Sequence, residues 1–160
     1  HGLTEKTYKS ISAVIDEIRK LSHDLNPSLI EDVGLVEAID QMIEKINLSH
    51  KLKVHFQVRG TGAANINHEG KIAVYRIVQE GLNNVIKHAD AHHVIIDLFL
   101  KNDTVQLAIS DDGKGFDAAT TKKGLGLKNI LHRVAYYNGH HQLTTSPGRG
   151  CVLQIKLHIK

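Results

Sequence analysis

Tryptophan is absent, cysteine occurs once, proline twice, and aromatic residues make up only 4% of the 160-residue chain. Each shortage excludes something. A lone cysteine, Cys151, rules out an internal disulfide and fits a reducing compartment. No apolar run approaches the ~20 residues of a membrane span, and the opening HGLTEKTYKSI lacks the apolar centre of a signal peptide. Scarce aromatics leave little on which nucleic-acid bases can stack. The net charge of +3 is shared out, with 20 basic residues set among 17 acidic ones, and suits a small anion. The 12 histidines form no HExxH spacing. His92-His93 and His140-His141 are adjacent pairs whose side chains do not easily converge on one ion, so most histidines read as solvated surface.

What is present is 41% hydrophobic residues, enough for a core, arranged periodically. Leu3, Ile11, Val14, Ile15, Ile18 and Leu21 predict a helix over residues 3–24, ended at Asn26-Pro27. After a break at Gly34, Leu35, Ala38, Ile39, Met42, Ile43 and Ile46 predict a second helix to about Leu48. LKVHFQV (52–58) alternates as a strand, and a loop with Gly60 and Gly62 follows. A third helix is expected from about His68 to His88. HHVIIDLFL and TVQLAISDD read as strands joined at Lys101-Asn102-Asp103, and residues 113–126 as a glycine-rich loop. A fourth helix is expected from Leu127 to about Tyr137, then strands HQLTTS and CVLQIKLHI around Pro147-Gly148-Arg149-Gly150. Strands in consecutive pairs favour hairpins. The fold class is therefore α+β, a two-layer sandwich of helices on a mixed, mostly antiparallel sheet, rather than a doubly wound fold.

Three stretches carry chemistry. In RIVQEGLNNVIKHADA (76–91), Glu80, Asn84, Lys87 and His88 recur at spacings of three and four, which places them on one face of an α-helix. An amide oxygen such as that of Asn84 is a hard ligand suited to Mg²⁺. Lys87 offers charge to phosphate oxygens, and Glu80 a base or an orienting group. The plain alternative is an amphipathic helix with a solvated polar face. In ISDDGKGF (109–116) a strand runs directly into Asp111, Gly113 and Gly115; a carboxylate there can accept from an exocyclic amine such as adenine N6, and glycines admit a ligand close to the backbone. Asp-Gly is equally a turn signal. In KKGLGLKNI (122–130), Lys123, Gly124, Leu125, Gly126 and Leu127 open a helix, where N–H groups and nearby lysine charge attract anions. There is no Walker A pattern GxxxxGK[ST].

The order E-x-x-x-N, then D-x-G-x-G, then G-L-G-L resembles the GHKL (Bergerat-fold) ATPases: histidine kinases, type II topoisomerases, mismatch-repair ATPases and heat-shock chaperones. QEGLNNVIKHADA, DDGKGF, GLGLKNILHRV and the upstream LSHDLNPSLIEDVGLVEAI are similar to sensor histidine kinases of the nitrate-sensor type, over residues 11–159. The resemblance implies cofactors ATP and Mg²⁺. It implies Asn84 as the metal ligand, Asp111 as the reader of the adenine amine, and Gly113 and Gly115 as room for the base. Gly124 to Leu127 close over phosphates at the end of an ATP lid, with Lys87, His88 and Lys123 near them. Glu80 aligns with the catalytic glutamate of the hydrolytic members. Residues 1–27 would be the end of a dimerisation helix and linker, and 28–160 the ATP-binding catalytic domain. The implied partners are a second kinase protomer and a response regulator, with no nucleic acid and no membrane insertion, on the cytoplasmic side of a membrane-bound sensor.

Two features depart from the family pattern. Gly150-Cys151 stands where Gly-Thr is usual, and a thiol is a poorer hydrogen-bond partner than a hydroxyl. His23-Asp24 invites assignment as phosphoacceptor, yet His23 lies just before Pro27 with no room for a second long helix. It is read as a helix-end histidine, and the chain as holding only the tail of the dimerisation helix. The alternatives are an anti-sigma-type serine kinase, which shares the fold, and a non-catalytic nucleotide-binding or scaffold module.

Overall fold

The computed structural model describes residues 27–49, 51–60, 66–121 and 124–159. The helix expected over residues 3–24, His23 and Lys123 lie outside them.

Helix α1 (Pro27–Val33) was not anticipated; a proline, read from the sequence as a helix stop, also suits the first position of a new helix. Gly34, at φ +85°, closes α1 by donating to the Ile30 carbonyl (3.0 Å), a left-handed stop that favours glycine. Helix α2 (Leu35–Ser49) buries the stripe Leu35, Ala38, Ile39 and Ile43. Asn47 clamps the strand that follows: its amide accepts from Val54 N–H (2.8 Å) and donates to the Val54 carbonyl (3.2 Å). That strand, β1 (Lys53–Gly60), runs two residues beyond the alternating segment.

Helix α3 (His68–Asn84) starts at Asn67, whose side chain accepts from Gly70 N–H at 2.7 Å. Ala73, Val74, Ile77, Val78, Gly81 and Leu82 form its buried face. The chain then tightens no further into α-helix. Val85–Ala89 is a π-helical turn, ended by Asp90 in the left-handed region (φ +54°). Strands β2 (His93–Lys101) and β3 (Thr104–Asp111) form a hairpin whose turn puts Asn102 at φ +51°. Helix α4 (Leu125–Tyr136) and the hairpin of β4 (His140–Thr145) and β5 (Cys151–His158) complete the chain.

The five strands lie in the order β1-β2-β3-β5-β4. β1 and β2 are parallel, as a crossover through α3 requires; the other pairs are antiparallel. One sheet face carries Val54, Val94, Ile96, Leu98, Leu107, Ile109, Leu153, Ile155 and Leu157 into a continuous core with the helices. The expected two-layer α+β sandwich is therefore observed. Among the described residues the core holds no buried polar or charged residue, and no helix is long and apolar enough to cross a membrane.

Candidate functional site

The polar groups gather at the C-terminal end of α3, where the sheet's core face runs out of apolar residues. Glu80 and Asn84 sit one helical turn apart, both half-buried. Gly126, in the first turn of α4, lies directly on them. A Cβ there would run into Glu80 Oε1 and stand 2.7 Å from Asn84 Oδ1. Two hard oxygens from different side chains thus pack against the same glycine, an approach that any side chain at residue 126 would block. A carboxylate and an amide oxygen suit Mg²⁺, with the remaining positions left to phosphate and water. Among the described residues no three His, Cys, Asp or Glu side chains cluster as a metal cage.

Glu80 also has cationic neighbours. Arg133, near the end of α4, is half-buried; burial and the charge of Arg76 lower its pKa, while Glu80 opposes them. Arg76 itself is held by Gln79 Oε1 at 2.7 Å.

The expectation that Lys87 and His88 continue the Glu80–Asn84 stripe needs correcting. The α-helix stops at Asn84, and the π turn breaks the three-and-four spacing that assumed α geometry. Lys87 and His88 are exposed in that turn. What the turn supplies instead is backbone: the Ala89 carbonyl accepts from Lys114 N–H at 2.8 Å. A Cβ on Gly113 would collide with that carbonyl, so glycine is needed for the close approach. The glycine loop after β3 is thereby docked under the end of α3.

Asp111, the last residue of β3, points to the core face in register with Val94 and Cys151. Burial raises its pKa; the Gly113 N–H, donating to Oδ1 at 2.9 Å, pulls it down, the charge of Asp112 pushes it up, and a hydrogen bond from the Cys151 backbone lowers it. Asp112 turns the other way. Its Oδ1 accepts from the N–H groups of His92 (2.8 Å) and His93 (2.9 Å), and its Oδ2 lies 2.9 Å from His93 Nδ1. The His93 contacts chiefly lower its pKa to about 2. One of the paired histidines read as plain solvated surface is therefore tied into the loop.

The turn between β4 and β5 closes the far side. Gly148 N–H donates to the Lys114 carbonyl at 2.7 Å. Gly115 (φ +57°) abuts the Ser146 carbonyl, and Gly150 (φ +65°) abuts the Asp111 carbonyl. The Cys151 thiol, half-buried beside Asp111, is pushed up to about 11 by burial first and by the Asp111 charge second, with Thr145 opposing. The sequence marked Gly150-Cys151 but not Thr145 or Ser146; only the β4–β5 register, which sets Thr145 opposite Cys151, brings them in.

Helix α4 begins two residues earlier than its apolar periodicity predicts. Gly124 is its N-cap, without a side-chain cap hydrogen bond, so Leu125, Gly126 and Leu127 form its first turn rather than the end of a loop. Leu125 is 64% exposed. A helix N-terminus with uncapped N–H groups, beside Glu80 and Asn84, suits an anionic group such as phosphate.

Residues 69–160 match the family described as histidine kinase-, DNA gyrase B- and HSP90-like ATPases. The chain belongs to that family. It is an ATP-binding catalytic domain of the kind found in sensor histidine kinases. The sensor histidine kinase MctS of Rhizobium johnstonii is 31% identical over 140 residues, 84% of this chain and 30% of its own length. ComP of Bacillus subtilis, also a sensor histidine kinase, is 31% identical over 157 residues, 94% of this chain and 20% of its own. The chain thus spans under a third of either relative. In fold it is similar to the Acinetobacter baumannii histidine kinase AdeS, with a TM-score of 0.64 at 18% identity over 96% of this chain and 84% of that one.

Proposed function

We propose that this domain holds Mg·ATP and presents the γ-phosphoryl group to a histidine of a sensor kinase of the nitrate-sensor type. The observation that carries the proposal is the seating of Gly126 on the oxygens of Glu80 and Asn84, which joins the first turn of α4 to the polar face of α3. Asn84 would hold Mg²⁺, which would supply charge neutralisation at the phosphates. Asp111 accepts from the adenine amine, with Gly113 and Gly115 leaving room for the ring. The first turn of α4, Gly124 to Leu127, faces the phosphates, with Lys123 and Lys87 adding positive charge and His88 a ring nitrogen at its margin. Glu80 orients the attacking imidazole and receives its proton. The bond from the γ-phosphorus to its bridging oxygen breaks, a nitrogen–phosphorus bond forms, and ADP leaves. Catalysis of this kind rests on positioning and charge neutralisation rather than on covalent help from the protein.

In this reading residues 1–27 belong to a dimerisation helix and linker, residues 28–160 to the catalytic domain, and the domain works on the cytoplasmic side of a sensor. The acceptor histidine belongs to the dimerisation helices of the whole kinase. A second protomer and a response regulator are its partners. The test is to add the 160-residue chain and γ-labelled ATP to an intact acceptor domain of a relative. Label is expected on the acceptor histidine and not on His23. Label on His23 overturns the assignment of His23 as structural, and label on neither overturns the transfer.

A further inference from the structure

Thr145 lies at the end of β4, outside the helix and the glycine loops that carry the site. Its hydroxyl nonetheless binds two of the segments that build it. Oγ1 donates to the Gly150 carbonyl at 2.8 Å and accepts from Phe116 N–H at 3.1 Å. A hydroxyl has one proton to donate, and here it goes to the Gly150 carbonyl while a lone pair takes the Phe116 N–H.

The two bonds, and the strand pairing beside them, lead to different parts of the pocket. Gly150 is pressed against the Asp111 carbonyl at a φ of +65°. Cys151 is the cross-strand neighbour of Asp111 in β3 and of Thr145 in β4. Phe116 is where the chain leaves the Asp111–Gly115 loop toward the segment that ends at Gly124. Among the described residues, the other ties between the two loops are backbone contacts through Gly115 and Gly148.

We infer that Thr145 is a positioning residue that fixes the start of the lid segment, at Phe116, relative to the base-reading carboxylate of Asp111. The inference rests on the nucleotide reading of this site. Thr145 touches no ligand in this role. It sets the distance between the loop that reads the base and the loop that closes over the phosphates. Removing its hydroxyl leaves both loops intact but lets them drift apart, so nucleotide pays for their ordering on binding.

The test compares Thr145→Val, which replaces the hydroxyl by a methyl at nearly constant shape, with Thr145→Ser, which keeps the hydroxyl. Mg·ADP affinity is measured by calorimetry, and amide exchange at Phe116 by NMR without nucleotide. Thr145→Val is expected to weaken ADP binding about fivefold and to speed Phe116 exchange, with mid-sheet exchange at Ala108 and the melting temperature unchanged. Thr145→Ser is expected to stay near wild type in both. Wild-type affinity in Thr145→Val, or Thr145→Ser as weak as Thr145→Val, overturns the inference while leaving the nucleotide site standing. Wild type that binds no ADP overturns the nucleotide reading, and this inference with it.

Discussion

Two glycines of the site lack a side chain for different reasons, and the difference is measurable. At Gly126 the obstruction to a Cβ is the mobile tips of Glu80 and Asn84. In Gly126→Ala those tips swing aside, so the fold survives but the two oxygens are displaced from their places against residue 126. Nucleotide affinity is expected to fall by about tenfold or more, with the thermal midpoint within a few degrees of wild type. At Gly113 the obstruction is the Ala89 carbonyl, which is backbone and already bonded to Lys114 N–H. Gly113→Ala therefore has to move the π turn, and a stability loss of about 1–3 kcal/mol is expected in urea denaturation. The same magnitude in both variants contradicts the account. These residues were marked as site glycines by their motif alone; which neighbour each one accommodates is a matter of tertiary contact and was not legible in the sequence.

At the scale of elements, periodicity located α2, α3, the two hairpins and α4, because each buries a regular stripe against one sheet face. It misplaced the end of α3. Val85 and Ile86 continue an apolar pattern that suits an α-helix, and nothing in VIKHA announces an i→i+5 turn. It also delayed α4, since Gly124-Leu125-Gly126 reads as loop by propensity while the backbone is already helical at Leu125. The junction of the glycine loop with β2 carries a pH dependence. Asp112 has its pKa lowered to about 2 by the hydrogen bonds from His93. A depressed carboxylate stabilises the fold above its unfolded pKa, about 4, and loses that contribution as pH falls through the folded value. The stability gap between wild type and Asp112→Asn in urea is therefore expected to shrink between about pH 4 and pH 2. A gap that stays constant across that window contradicts the tie between Asp112 and the His92–His93 backbone.

The whole molecule divides its labour by face and by end. Apolar residues of one sheet face and of α2–α4 close a core without a buried polar group among the described residues, and the polar chemistry is pushed to the one end where α3, β3, α4 and the β4–β5 turn meet. The order of the three motifs along the chain made this end legible as a nucleotide site. The sheet order and the hydroxyl of Thr145 were not, because strand register depends on which segments pair, and no local signal encodes that. The end-on arrangement makes Asp111 the decisive residue. Burial raises its pKa, so its ionised form opposes folding: stability is fullest below the unfolded pKa and is lost as pH rises through the folded one. Asp111→Asn relieves that opposition, keeps an oxygen for the Gly113 N–H and presents an amide where the adenine amine needs a carboxylate. Calorimetric titration of Mg·ADP into wild type and Asp111→Asn at neutral pH tests this most directly. The account predicts saturable binding by wild type and at least about a tenfold loss in Asp111→Asn, with a melting temperature no lower than wild type. No binding by wild type, or equal binding by both proteins, contradicts it.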